Sequence, residues 1–399
     1  MGALDGMRIL DLTQWEAGTS CTQALAWLGA EVVKIEPPVD GDPGRAVGLT
    51  ENRKYSAYFC NWNANKRSVG LNLRTSQGRE LLLRLVPRFD VIVENFGPGT
   101  IERLDLEYET LRELHPPLIY AQLKGFGTFG PYSGFKSYDM IAQATGGAFS
   151  LTGEADGPPM TPAPTAGDAG TGVQLGMAIL AAYIQRLRTG EGQRIEISMQ
   201  EAVTYFLRTR IALAADWGRE AAPRTGNSLA LPPVNLYPCK PFGPNDWVFL
   251  MPITSDQIDQ LLTAIDRPEL VVDPRFDTAA SRAEHAEALY EEVASWTRER
   301  PKDEVMAILG EAGVPCGACL DTRELFADPH LLARGFVKTL DHPFHGEVSL
   351  LGFPPRMSAG DVEIVRAPLL GEHSDEVLSA DLGLGPDELG SLREAGIIR

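Results

Sequence analysis

MRILDLTQWEAGTSCTQALAWLGAEVVKIE, residues 7–36, is a complete strand–helix–strand unit written in thirty residues. Met7-Arg8-Ile9-Leu10-Asp11-Leu12 reads as a short apolar strand. Ser20 to Leu28 carries helical spacing and stops at Gly29, where a residue free to adopt positive φ suits a helix end. Glu31-Val32-Val33-Lys34-Ile35-Glu36 is a second strand, ended by Pro37-Pro38. The pattern continues with an amphipathic helix from Ser76 to Val86 and strands at Asp90–Glu94 and Leu118–Leu123. Strands that alternate with helices pair in parallel and are covered on both faces. The expectation is an α/β fold built on a Rossmann-like parallel sheet. Ligands of such sheets bind in the crevice beyond the carboxyl ends of the strands. Here those ends run into Thr13–Gly18, Asn95–Gly99 and Lys124–Gly127, each glycine-bearing and polar or aromatic.

Farther along, a helix over about 169–188 reads as buried, and a second spans about 199–217. Residues 218–245 are rich in Pro and Gly and read as a linker. From 246 to about 319 the pattern changes to a smaller, α-rich domain: one strand (Trp247–Met251), then helices near 255–264, 280–297 and 302–312. Beyond it, Asp321–Ala327 reads as helix, Val348–Leu351 and Val362–Ile364 as strands, and a tail helix ends at Arg399. The large domain is thus expected over 1–217, the linker over 218–245, the small domain over 246–319 and a return over 320–399.

Apolar residues at 44% and charged residues at 23% are ordinary for a globular protein. A net charge of −18 argues against nucleic acid and against anionic membranes. It leaves anionic small molecules open, because a few local cations suffice for those. Met1–Arg8 lacks the order of a signal peptide, and the apolar run Leu175–Ile184 is too short to span a bilayer. Five cysteines, an odd number, fit a reducing cytoplasm better than a disulfide framework.

Several motifs are weaker than they look. Gly125-Phe126-Gly127-Thr128-Phe129-Gly130 matches a dinucleotide fingerprint, but the helix that must open behind it is replaced by Pro131-Tyr132-Ser133-Gly134. Cys316-Gly317-Ala318-Cys319 has zinc-ligand spacing without a second pair of ligands, so two small loop residues are the simpler reading and no metal is expected. The six histidines lie outside the glycine-bearing loops, and no serine nucleophile elbow is present. Lys66, Arg67, Arg74, Arg103 and Lys136 fall in or after the crevice loops. They suit either a phosphorylated ligand or a set of surface ion pairs.

Asp168, within Gly167-Asp168-Ala169-Gly170-Thr171-Gly172, stands at the start of the 169–188 helix. Aspartate there is commonly an N-cap. The helix dipole and free N–H groups would also keep the carboxylate ionised, and a charged, accessible carboxylate can act as a nucleophile. Position alone favours the cap.

Seven segments in order resemble the class III coenzyme A transferases, the CaiB/BaiF-type family that includes formyl-CoA:oxalate CoA-transferases. They are Leu28–Pro37, Asn65–Ser68, Val93–Gly99, Gly167-Asp168, Gly192–Met199, Ala312–Gly317 and Ala367–His373. The resemblance spans nearly the whole chain. It implies a large α/β domain built from both chain ends, a smaller inserted domain, and two chains interlocked as rings. Asp168 would be the nucleophile that carries CoA from an acyl-CoA donor to a free carboxylic acid, by way of an aspartyl anhydride and an aspartyl-CoA thioester. Coenzyme A is then a substrate, with no tightly bound cofactor. Trp15, Ala17, Leu71, Arg74, Asn95, Phe96, Arg103 and Lys136 would hold CoA. Glu16, Tyr138 and Asp139 would lie near the thioester.

Three departures leave the acceptor acid open. Glu16 stands where formyl-transferring members have Gln. Pro37-Pro38 replace a basic residue for which Arg45 can substitute. Gly226–Pro233 replaces a glycine-rich loop. Two rival readings are an α-methylacyl-CoA racemase, which places a His where Tyr138 stands, and a non-catalytic acyl-CoA-binding protein.

Overall fold

The computed structural model describes residues 2–50, 55–229, 231–360 and 362–399. The chain divides into two compact units, one of residues 1–148, 161–219 and 335–399, the other of residues 149–160 and 220–334.

The first unit is organised by six strands: β1 (Arg8–Asp11), β2 (Glu31–Glu36), β3 (Arg67–Gly70), β4 (Val91–Glu94), β5 (Ile119–Lys124) and β6 (Arg194–Ser198). They form one sheet in the order β3-β2-β1-β4-β5-β6, parallel at every pairing. The chain winds outward from β1 in one direction and from β4 in the other. The topological switch point therefore falls between these two strands, where such sheets open a crevice. β3 and β6 escape the sequence reading because they are short and carry charged residues.

The helices of this unit include α1 (Ala17–Ala26), α2 (Ala57–Asn63), α3 (Ser76–Leu85), α4 (Thr100–Arg103), α5 (Tyr108–Leu114), α6 (Asp139–Thr145), α7 (Ala169–Thr189), α8 (Met199–Phe206) and α9 (Arg208–Ala214), with Ser374–Leu382 and Pro386–Glu394 near the end of the chain. Side chains alternate across the sheet, so neighbouring residues on one strand feed two different cores. Leu10, Val33, Ile92 and Tyr120 pack with α3 residues such as Leu82 and Leu85, and with Val377, Leu378 and Ile398 from the end of the chain. Ile9, Val32, Val91 and Ile119 pack on the opposite face with Cys21 and Leu25 of α1 and Leu175 and Ile179 of α7. The near-continuous apolar strands of the sequence are explained by burial on both faces.

α1 starts three residues before the predicted Ser20. The expected 199–217 helix is two, α8 and α9, and it stops where Asp216 and Trp217 adopt positive φ (37° and 58°). Residues 362–364 form no strand. Instead, Asn65 ties this segment down, its amide donating to the Glu363 carbonyl at 2.7 Å and its Oδ1 accepting from Val365 N at 2.9 Å. α7 is not buried all round. Thr171, Gly172, Leu175, Gly176, Ile179 and Ala182 face inward, while Val173, Met177, Ile184 and Leu187 are exposed.

In the second unit, strands Asn235–Pro238, Trp247–Leu250 and Cys316–Ala318 form an antiparallel sheet. Helices Ser255–Ala264, Ala286–Thr297 and Lys302–Glu311 close a core of Tyr237, Val248, Leu261, Val293 and Leu309. The first strand lies inside the stretch read as a linker, and Cys316 opens a strand rather than lying in a loop. Among the described residues no helix is long and apolar enough to cross a membrane.

The α1–α7 contact carries the site, and glycine makes it possible. A Cβ on Gly172 would stand 2.1 Å from Ser20 Oγ and 2.4 Å from the Ala17 carbonyl oxygen, whereas one on Gly176 would find only Cys21 Sγ at 3.9 Å. Gly172→Ala is expected to cost about 1–3 kcal/mol through overpacking. Gly176→Ala is expected to gain up to about 1 kcal/mol from helix propensity. Urea denaturation of the two variants checks the opposite signs.

Candidate functional site

The loops after β1, β4 and β5 meet at the switch point and enclose a cavity of about 210 Å³. Trp15, Ala17, Asn95, Phe96, Lys136, Tyr138 and Asp168 line it, together with Gln14, Lys124, Phe135, Ser137 and Met199. Seven of the twelve residues singled out from sequence thus share one cavity. The three loops predicted to flank the crevice all contribute to its wall.

The β1 loop is held from below by buried charge. Lys34, fully buried, lies 2.9 Å from Asp42 and donates to the Thr13 carbonyl at 2.6 Å. Asp42 in turn accepts the Trp15 backbone N–H at 3.1 Å. Trp15 adopts φ 61°, a costly conformation for a bulky residue, and these bonds help to hold it there. Lys66 pairs with Asp11 at 2.9 Å, both buried. Burial would raise the Asp11 carboxyl, but Lys66 and Lys34 hold it down to about 2. Asn95 accepts from Gln14 N and donates to the Gln14 carbonyl, each at 2.8 Å, so its amide splices the β4 loop to the β1 loop. Lys124 donates to Glu94 and to the Phe96 carbonyl at 2.8 and 2.7 Å, so its charge is already matched.

Asp168 occupies the N-cap position of α7, yet its side chain makes no capping hydrogen bond. A second carboxylate holds the backbone at this turn. Asp139, the first residue of α6, is buried and turned away from the cavity. Its Oδ1 accepts from Gly167 N at 2.9 Å and from Asp168 N at 3.1 Å, and its Oδ2 accepts from Gln143 Nε2 at 2.7 Å. Gly167 has room for this only without a Cβ, which would lie 2.6 Å from the Asp139 carbonyl oxygen. The Asp168 carboxylate is left facing the cavity.

The expectation that helix polarity keeps Asp168 ionised does not hold. Burial, and then the nearby carboxylates of Glu16 and Asp139, push it up from 3.8 to about 7. The helix dipole is worth too little to offset desolvation plus two like charges.

Glu16 is buried and does not line the cavity. Burial raises its carboxyl, opposed by the Thr165 and Tyr58 hydroxyls and reinforced by Asp139. Among the described residues its Oε1 has no hydrogen-bond partner. Tyr58 of α2, which sequence reading missed, borders the same carboxylates: burial, Glu16 and Asp168 all raise its hydroxyl. Nothing in its local sequence marks it, because the fold alone brings α2 to the β1 loop. Tyr138 is exposed and meets Trp15 edge to face at 6.1 Å.

The cations divide. Lys66 is committed to Asp11, and Arg67 to Glu31 and Glu376. Arg45 is locked on Glu36, with two contacts of 2.7 Å, and stacks over Phe59, so it is spent in structure rather than free to replace a binding cation. Arg74, Arg103 and Lys136 are exposed and carry no ion pair among the described residues. Of these only Lys136 lines the cavity. Leu71 is a core residue, bridged to Ile398. The loop 226–233 includes position 230, which lies outside the described residues.

A carboxyl group whose folded-state value is raised stabilises the fold at low pH and loses that contribution as pH rises through the folded value. For Asp168 the window runs from about 4 to about 7. Asp168→Asn should therefore match wild type near pH 4 and exceed its stability by on the order of 2 kcal/mol at pH 8. Urea denaturation at both pH values tests this; a constant difference across the window would contradict the electrostatic account.

Residues 4–374 match the family model described as CoA-transferase family III. The chain is 41% identical to a formyl-CoA:oxalate CoA-transferase of Streptomyces coelicolor, with 99% of each chain covered. It is 37% identical to one of Rhodopseudomonas palustris, covering 99% of this chain and 97% of the other. A solved CAIB/BAIF family protein from Brucella suis superposes with a TM-score of 0.84 at 32% identity, over 95% of this chain and 99% of that one. The chain belongs to CoA-transferase family III.

Proposed function

We propose that the protein moves coenzyme A from an acyl-CoA donor to a small carboxylic acid, with Asp168 as the nucleophile. The observation that carries this reading is the uncapped Asp168 carboxylate at the cavity wall. Asp168 attacks the donor thioester carbonyl, the C–S bond breaks, and CoA leaves as thiolate from a mixed anhydride. The thiolate then attacks the aspartyl carbonyl and releases the donor carboxylate, leaving an aspartyl-CoA thioester. The acceptor carboxylate attacks that thioester, the C–S bond breaks, and CoA thiolate leaves from a second mixed anhydride. The returning thiolate takes the acceptor's acyl group and restores Asp168. Each step exchanges one nucleophile for another at an acyl carbon, which divides a difficult carboxylate-for-thiolate exchange into easier ones.

A cavity of about 210 Å³ is smaller than the roughly 300–1,000 Å³ of sites that enclose a whole drug-sized ligand. It suits the thioester end of CoA, with the nucleotide end lying outside. Lys136 at the cavity wall supplies charge for phosphates in a strongly acidic protein, and the exposed Arg74 and Arg103 are further candidates for that role. The relatives' names point to formyl-CoA as donor and oxalate as acceptor. Glu16, a buried carboxyl beside Asp168, is the residue expected to set acceptor choice through its charge. The exposed apolar face of α7 suits a homodimer, and we read the second unit as an inserted small domain of an interlocked dimer. Five free cysteines fit a cytoplasmic enzyme. A racemase reading is disfavoured, since among the described residues the cavity is lined by Tyr138 and by no histidine.

Because kcat/KM reports the free enzyme, it should rise about tenfold per pH unit below pH 7 and level off above, following ionisation of Asp168. Asp168→Ala should keep its circular dichroism and lose turnover by about 10³-fold or more. Retained turnover in that variant would refute the assignment.

A further inference from the structure

The residues that hold the Asp168 loop form a grip that the transfer chemistry above does not use. α6 presents Asp139 and Gln143 one turn apart, both buried. Gln143 Nε2 donates to Asp139 Oδ2 at 2.7 Å and to the Pro164 carbonyl at 2.9 Å. Asp139 Oδ1 takes the Gly167 and Asp168 N–H groups. Two side chains thus clasp residues 164–168 at both ends, and neither lines the cavity. Thr171 Oγ closes the far side on the Gly167 carbonyl at 2.6 Å.

We propose that Asp139 is a positioning residue: with Gln143 behind it, it fixes the Gly167 and Asp168 N–H groups, and so holds the backbone turn that aims the Asp168 carboxylate at the cavity. Without the clasp, Asp168 is free to fold back onto its own helix, as an N-terminal aspartate commonly does. A carboxylate bound to N–H groups is a poorer nucleophile, and its oxygen no longer meets the thioester. Asp139 also contributes negative charge beside Asp168, as does Glu16 on the β1 loop, and the neutral Tyr58 hydroxyl on α2 borders the same carboxylates. The inference rests on Asp168 being the nucleophile.

The test compares Asp139→Ala, Asp139→Asn and Gln143→Leu with wild type, using acyl-CoA and an acceptor acid and correcting rates for folded protein. Misplacing a reacting group by about 1 Å costs on the order of 10²-fold. Asp139→Ala should therefore lose roughly 100-fold in kcat with KM for acyl-CoA within about twofold. Asp139→Asn keeps an oxygen that accepts both N–H groups, so kcat should recover to within about tenfold of wild type. With the charge gone, its kcat/KM profile should reach its plateau at lower pH. Gln143→Leu, remote from substrate, should lower kcat by about tenfold with KM unchanged.

If Asn proves as damaging as Ala while Gln143→Leu is fully active, Asp139 acts on the substrate and the proposal falls. If all three variants turn over normally once corrected for folding, the clasp is merely structural and the proposal also falls. Should Asp139→Ala not fold, the other two variants decide. Failure of the underlying reading looks different: there Asp168→Ala itself stays active, whatever Asp139 does.

Discussion

Two carboxylates share the entry to α7: Asp139 accepts the Gly167 and Asp168 N–H groups and holds the turn, while the Asp168 side chain makes no cap. That division of labour decides the character of the site. An aspartate spent as a cap is stable and inert. An aspartate relieved of the cap, half enclosed and facing a cavity, is available for chemistry. The glycine at 167 is part of the same arrangement, since any side chain there would drive α6 and the loop apart.

The electrostatics follow from the same crowding. Asp139, Glu16 and Asp168 are close enough that burial and mutual repulsion raise Asp168 toward neutrality. The fold tolerates this because its other buried acids are neutralised: Asp11 by Lys66, Glu36 by Arg45, Glu94 by Lys124. Those pairs also carry the loops, since Lys34 and Asp42 fix the Thr13 and Trp15 backbone and Lys124 fixes Phe96. Charge that looks from sequence like a ligand-binding patch is in large part internal scaffolding. What remains free, Arg74, Arg103 and Lys136, is exposed.

The sheet is legible because strands buried on both faces carry short apolar runs, as in Val32-Val33 of β2 and Val91-Ile92-Val93 of β4. Their crevice loops were legible because the carboxyl ends of such strands are where side chains are spared from packing. Three kinds of feature were not legible. β3 and β6 are short and partly charged, so periodicity did not reveal them. Tyr58 reaches the site only through tertiary structure. The fates of Lys66, Arg67 and Arg45 depend on which acids lie opposite in space. Asp168 itself is conspicuous by position, but the grip on its backbone comes from a residue 29 positions earlier in the chain. Its ionisation is hidden for the same reason, since the helix terminus is local in sequence and the opposing carboxylates are not.

The central claim is that the Asp168 carboxylate forms a covalent bond with the acyl-CoA substrate. Incubation of the protein with an acyl-CoA donor, followed by proteolysis and mass spectrometry, tests it directly. The account predicts a CoA-mass adduct on the peptide containing Asp168, removed by hydroxylamine. An unlabelled Asp168 peptide from enzyme that is turning over would contradict it.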